Sequence, residues 1–192
     1  MRRALATLAL MCLAGCGGAP ANPDRQPASA PGTASPSPSP AAPAKFSVTS
    51  PAFADNTPIP VEYSCKGRNV PPTLRWANVP PGTESLALVV DDPDAVSGLY
   101  VHWVVTDIPP ATTEIVGGAL PAGAVVGRNS GGQTQYMGPC PPAGTGVHHY
   151  RFQLYALREP LNLAPTTPAA QAAQTIANAA ADTAVTVGLF SG

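Results

Sequence analysis

An all-β sandwich or barrel, with one helix close to the C-terminus, is the fold class that the chain predicts. Short apolar runs rich in Val and aromatic residues recur from residue 44 onward, each of strand length. Turn signals cut these runs apart, among them Pro80-Pro81-Gly82, Pro93, Pro109-Pro110, Gly117-Gly118 and Gly131-Gly132. One Ala-rich stretch late in the chain breaks the pattern and opens on a helix start signal. No internal repeat interrupts this order.

Taken from the N-terminus, residues 1–15 form an export signal. Arg2 and Arg3 give a positive start, residues 4–14 an apolar run, and Leu13-Ala14-Gly15-Cys16 a small-residue cleavage site that ends in a cysteine. The run is too short to span a bilayer, for which about 20 apolar residues are needed, and no other run comes near that length. The Leu-Ala-Gly-Cys string resembles a bacterial lipobox, which implies a lipidated Cys16; a secretory signal with a chance cysteine is the plainer reading. More than one acyl chain on Cys16 gives stable anchoring. Residues 16–43 follow as a tether. The stretch 17–43 holds 8 of the 25 prolines, with Ala, Ser and Gly between them, and has little to bury. At about 3.1 Å per residue it reaches on the order of 80 Å when extended.

The domain proper is 44–192. Strands are expected over 46–49, 74–77, 85–91, 99–106, 124–126, 150–157 and 184–189. Thr167 as N-cap and Pro168 as first helical residue open a helix that runs to about Ala181, beside the last strand.

Composition removes some classes of function. With 10 Lys+Arg against 11 Asp+Glu among 192 residues there is no basic excess to meet a phosphate backbone, so nucleic acid is not expected as a partner. The four cysteines add a compartment. If Cys12 leaves with the signal and Cys16 carries lipid, Cys65 and Cys140 remain as an even pair in an oxidising exterior, which favours a disulfide. A metal site is the weaker reading for them, because neither has another Cys or a His within a few residues.

Three places carry residues suited to chemistry. In Leu99-Tyr100-Val101-His102-Trp103-Val104-Val105, alternation puts Tyr100 and His102 on one face of a strand and Val101, Trp103 and Val105 on the other. In Val147-His148-His149-Tyr150-Arg151-Phe152 the same rule pairs His148 with Tyr150 and turns His149 and Arg151 away. Asp91-Asp92-Pro93-Asp94 crowds three carboxylates at a strand end, where like charges need partners or solvent. A solvated acidic turn and backbone-capped histidines are the bland alternatives.

The domain resembles the phosphatidylethanolamine-binding protein family, in its bacterial Raf-kinase-inhibitor-like branch. The matching strings are Tyr63-Ser64-Cys65-Lys66-Gly67, Pro71-Pro72-Thr73-Leu74-Arg75-Trp76, Val79-Pro80-Pro81-Gly82-Thr83-Glu84-Ser85-Leu86-Ala87-Leu88, Asp92-Pro93-Asp94-Ala95 and His102-Trp103-Val104-Val105. They continue with Asn129-Ser130, Tyr136-Met137-Gly138-Pro139-Cys140-Pro141-Pro142-Ala143-Gly144 and His148-His149-Tyr150. The resemblance implies a Greek-key β-sandwich of two antiparallel sheets with a short C-terminal helix, and a small pocket for anions or phospholipid head groups. By position it implies that Asp92, His102, His148 and Tyr150 line the pocket, that Tyr100 is a wall, and that the Cys140 N–H is a donor. Cys140 suits that role, since it is the only residue between Gly138 and Ala143 that is not proline. Three residues depart from the family pattern: Val96 in place of a proline, Tyr100 in place of a tryptophan, and His149 in place of an arginine. A neutral imidazole at position 149 is expected to fail as a partner for Asp94, which puts the geometry of that loop in doubt.

The reading that follows is a binding module, lipid-anchored at Cys16 in a bacterial cell envelope, in the outer membrane facing the periplasm if the cell is Gram-negative. No cofactor, no metal and no enzymatic activity are expected. The alternatives are an inhibitor that docks on a protease or other extracytoplasmic enzyme, and a hydrolase using the Asp and His residues. The chain has no nucleophile-elbow serine and no H-E-x-x-H string to support the last.

Overall fold

Val, Leu, Ile and aromatic side chains close two sheets on each other in the computed structural model, which describes residues 44–192. The expected signal 1–15, Cys16 and the expected tether to residue 43 lie outside the described residues. The elements in chain order are β1 (Ser47–Thr49), β2 (Thr57–Pro58), a 3-10 turn (Val61–Tyr63), β3 (Leu74–Ala77), β4 (Ser85–Asp92), β5 (Tyr100–Ile108), β6 (Glu114–Ile115) and β7 (Val125–Val126). They end with β8 (Val147–Leu157), helix α1 (Ala169–Ala179) and β9 (Ala180–Ser191). Each expected strand is present, while β2 and β6, of two residues each, are too short to leave a pattern in the sequence.

The small sheet has the order β1-β3-β6 and the large one β2-β9-β8-β4-β5-β7. Pairing is antiparallel except at the edge, where β2 runs parallel to β9. After the β4–β5 hairpin the chain passes through the small sheet and returns β8 to the far side of β4, a Greek-key crossover. All eight residues of β4 are buried, because this central strand is covered on both faces. Leu86, Leu88 and Val90 face the core between the sheets with Trp76, Trp103 and Phe152. Ala87 and Val89 face the second core, under the helix.

In α1, Ala169, Ala172, Ala173 and Ile176 are buried, the i, i+3, i+4, i+7 stripe of one helix face. Burying the Ile176 side chain is worth about 1.5–3 kcal/mol. The helix differs from expectation at both ends. Pro168 is the N-cap, with an extended ψ of 135° that keeps it out of the helix, and Thr167 lies one residue further out and makes no capping bond. The helix stops at Ala179 because Ala180 already pairs with Leu157, and the run Thr183 to Val187 is rich in β-branched side chains that suit a strand. It lies over β5 and β8 and runs directly into β9.

Strand alternation fails at one instructive place. Val90 pairs with Trp103 but Asp91 pairs with Val101, so His102 is the extra residue of a β-bulge. Val101 therefore joins Val89 and Val104 in the core under the helix, while Trp103 and Val105 face the core between the sheets. The expectation that Val101 shares a face with Trp103 is corrected by that bulge.

Candidate functional site

Three neighbouring strands of the large sheet bring their polar residues to one end. β4 ends in Asp91-Asp92, β5 starts with Tyr100-Val101-His102, and β8 starts with Val147-His148-His149-Tyr150. Antiparallel pairing places that strand end beside those two strand starts. Residues 137–142 cross in front and residues 93–99 form the facing rim. Between them lies a cavity of about 340 Å³, lined by Asp92, Tyr100, His102, Cys140, His148 and Tyr150, with Ala95, Val96, Ser97, Met137, Pro141 and Pro142 completing the wall. All six residues singled out from the sequence meet there.

Hydrogen bonds hold the polar members in place. Asp92 Oδ2 accepts from His148 Nδ1 at 2.7 Å, and Asp92 Oδ1 accepts the Asp94 N–H at 2.8 Å. His148 Nε2 lies 2.9 Å from Thr145 Oγ1, whose hydroxyl donates to the Pro142 carbonyl at 2.8 Å. His102 Nδ1 donates to the Met137 carbonyl at 2.7 Å, which leaves Nε2 for the cavity. The His102 ring packs 4.9 Å from Tyr100 and 5.1 Å from Tyr150, centroid to centroid. Tyr100 Oη donates to Met137 Sδ.

Burial is the main electrostatic influence. It pushes the His102 imidazole below its ordinary range, against the pull of the Met137 carbonyl and Asp92, so the ring favours the neutral form. It also pushes the Tyr150 phenol up, helped by Asp92, so the hydroxyl keeps its proton. That hydroxyl is buried and has no hydrogen-bond partner among the described residues; Asp92 and the Cys140 amide lie near it without bonding geometry. Among the described residues no Lys or Arg lines the cavity, and no cluster of three or more His, Cys, Asp or Glu has metal-site geometry.

Each carboxylate of the acidic turn has its own basic partner. Asp91 points to the helix side, where Arg151 donates to both its oxygens at 2.7 and 2.8 Å and Gln153 adds a third bond at 2.9 Å. Asp92 points into the cavity. Asp94 accepts from the His149 N–H at 2.9 Å and from His149 Nδ1 at 2.8 Å. His149 thus holds Asp94, contrary to expectation, because a main-chain N–H and a ring N–H suffice as donors. These two bonds keep the Asp94 carboxyl below the usual carboxylate range.

The loop in front of the cavity is pinned by a disulfide between Cys65 and Cys140, with Cα atoms 5.4 Å apart. The Cys65 N–H donates to the Pro139 carbonyl on the same loop.

A match to the family described as phosphatidylethanolamine-binding protein runs over residues 49–191. The chain belongs to that family. The protein named "Putative lipoprotein LppC" of Mycobacterium tuberculosis is 51% identical to this member of the phosphatidylethanolamine-binding protein family, over 98% of this chain and 95% of its own. A crystal structure of YbcL from E. coli, described as a member of the mammalian family, superposes with a TM-score of 0.73 at 32% identity, covering 78% of this chain and 99% of that one. A homologue from Chlamydia trachomatis, CT736, gives 0.69 at 34% identity, covering 77% and 97%.

Within this phosphatidylethanolamine-binding protein domain, sequence reasoning missed three contributors. Met137 acts through its carbonyl, which no side-chain pattern reveals. Thr145 reaches His148 from a turn between Gly144 and Gly146, both at positive φ, and that glycine-flanked turn was the available signal. Ser130 braces β5 at the bulge, accepting the Val101 N–H at 2.9 Å.

Proposed function

We propose that the protein is a binding module, anchored in the cell envelope through Cys16, whose cavity takes a small anion or a phospholipid head group. The buried Tyr150 hydroxyl carries this reading, since an O–H without an acceptor costs about 1–3 kcal/mol unless a ligand supplies one. The Cys140 N–H stands close by as a second donor. The cavity has apolar walls for the less polar part of such a ligand. Both oxygens of Asp92 and both ring nitrogens of His148 are engaged within the protein, which favours a binding role over acid–base catalysis. The name of the mycobacterial relative supports the anchor, because the similarity extends over 98% of the chain and so takes in its N-terminal segment.

The test is calorimetric titration of the domain with phosphate and with phosphorylethanolamine. Tyr150→Phe removes one donor and little volume, and is expected to weaken binding about tenfold. Equal affinity in the Phe variant, or no binding by the parent domain, overturns the reading.

A further inference from the structure

We infer that a groove behind the cavity, floored by Trp103, is a second binding site and takes an uncharged sugar that carries an N-acetyl group. The groove measures about 360 Å³ and runs past Asn69, Pro71, Trp103, Leu120, Val126 and Gln135. That volume falls within the range of about 300–1,000 Å³ usual for small-molecule sites. Trp103 and Tyr136 line the groove while their chain neighbours His102 and Met137 line the cavity, so the two openings stand back to back across the same two stretches of chain. What the cavity binds has no bearing on the groove.

Trp103 is what points to a ligand. It is only 2% exposed, and its ring packs edge-on against Tyr136 with centroids 5.6 Å apart. A buried indole N–H normally finds an acceptor. Trp76 follows that rule, donating from Nε1 to the Thr112 carbonyl at 2.6 Å. Trp103 Nε1 has no such acceptor among the described residues. Nor is it one of the orphan polar atoms sealed from solvent, which are Ser85 Oγ, Asp107 Oδ1 and Tyr150 Oη, so its N–H opens on the groove that the ring lines. Asn69 adds a second donor, because its Oδ1 is taken by the Gly138 N–H at 2.7 Å and its Nδ2 hydrogens are left over. Gln135 donates from Nε2 to Gln133 at 3.1 Å and so keeps Oε1 as an acceptor.

These groups select the chemistry of the ligand. No Asp, Glu, Lys, Arg or His lines the groove, so nothing there balances a charge taken out of water. Two donors facing one space ask for a carbonyl oxygen, and the Gln135 acceptor asks for a hydroxyl. Pro71, Leu120 and Val126 cover apolar surface between these polar groups. An N-acetylated sugar brings the amide carbonyl, the hydroxyls, and the methyl and ring C–H groups that match each part.

The domain 44–192 is suited to the test, since it holds both cores, and the solved relatives aligned over 97% and 99% of their own chains fold with little else. The chain has two tryptophans, so NMR shows two indole N–H signals, and that of Trp76, already bonded, is the internal reference. Titration with methyl N-acetylglucosaminide is expected to move the Trp103 signal to saturation and to leave that of Trp76 in place. Gln135→Ala and Leu120→Ser, in the groove walls, should each raise the half-saturating concentration several-fold, while Val185→Ser, exposed elsewhere on the domain, should not. Asn69 is kept, because it also holds the cavity loop through Gly138. A Trp103 signal that stays in place, equal movement of both signals, or unchanged half-saturation in both groove variants overturns the site. A response as strong to methyl glucoside or to N-methylacetamide overturns the N-acetyl sugar as its ligand.

Discussion

Asp92 Oδ2 lies 2.7 Å from His148 Nδ1, and both side chains are almost wholly buried. The Thr145 hydroxyl lies 2.8 Å from the Pro142 carbonyl and 2.9 Å from His148 Nε2, so the ring is held at both of its nitrogens.

The first prediction concerns this pair. His148→Gln cannot reach Asp92 and Thr145 together, and should weaken binding of a singly charged sulfonate by about tenfold. His149→Gln should leave it unchanged, because His149 is on the exposed face with Asp94. Calorimetry decides, and equal affinity in the His148 variant contradicts the role of the pair.

A second prediction concerns stability and rests on His102, whose imidazole is pushed down by burial. As pH falls through about 6.5, the unfolded chain takes up a proton that the folded ring refuses. Stability should therefore fall on acidification, by up to about 1.4 kcal/mol per pH unit, until the folded ring also protonates. His102→Asn keeps a donor for the Met137 carbonyl and should flatten the decline in Tm between pH 7 and pH 5. Asp94, with its carboxyl pushed down, stabilises above about pH 4 and loses that contribution only below it, so the two windows separate.

Removing the bridge should touch both stability and site. Cys65 and Cys140 close a loop of 75 residues, worth up to about 4.5 kcal/mol in the chain-entropy account. The Cys65→Ser, Cys140→Ser double variant should unfold at lower denaturant and also bind anions more weakly, since the loop carrying the Cys140 N–H loses its anchor. Thiol labelling of the unfolded, unreduced protein from its exported form should find neither cysteine reactive.

Cys16→Ser should abolish lipidation and leave the chain unprocessed or in the soluble fraction. Fractionation after a high-salt wash checks this. A serine variant that stays with the membrane fraction would show an anchor other than Cys16.

The strands and the six cavity residues were legible because alternation and breaker placement are local properties, and the order of the family strings supplied what brings them together. What escaped was set by non-local detail. The bulge at His102 depends on how β4 and β5 register, which no single strand encodes. The Met137 carbonyl and the Thr145 hydroxyl act from connecting segments whose course only the packed structure defines. The partnership of His149 with Asp94 was misjudged because charge was weighed and the main-chain donor was not.

Adjacent on β4, Asp91 and Asp92 are clamped on opposite faces of the sheet, one by Arg151 and Gln153, the other by His148. Like a rivet through a plate, this fixes the strand ends that form the floor of the cavity. For the binding role proposed above, tolerance for ligands of different size would reside in the rim at 93–99 and in the turn at 142–146. Substitutions there should then alter the range of anions accepted, whereas Arg151→Ala, with no atom in the cavity, should slacken the floor itself.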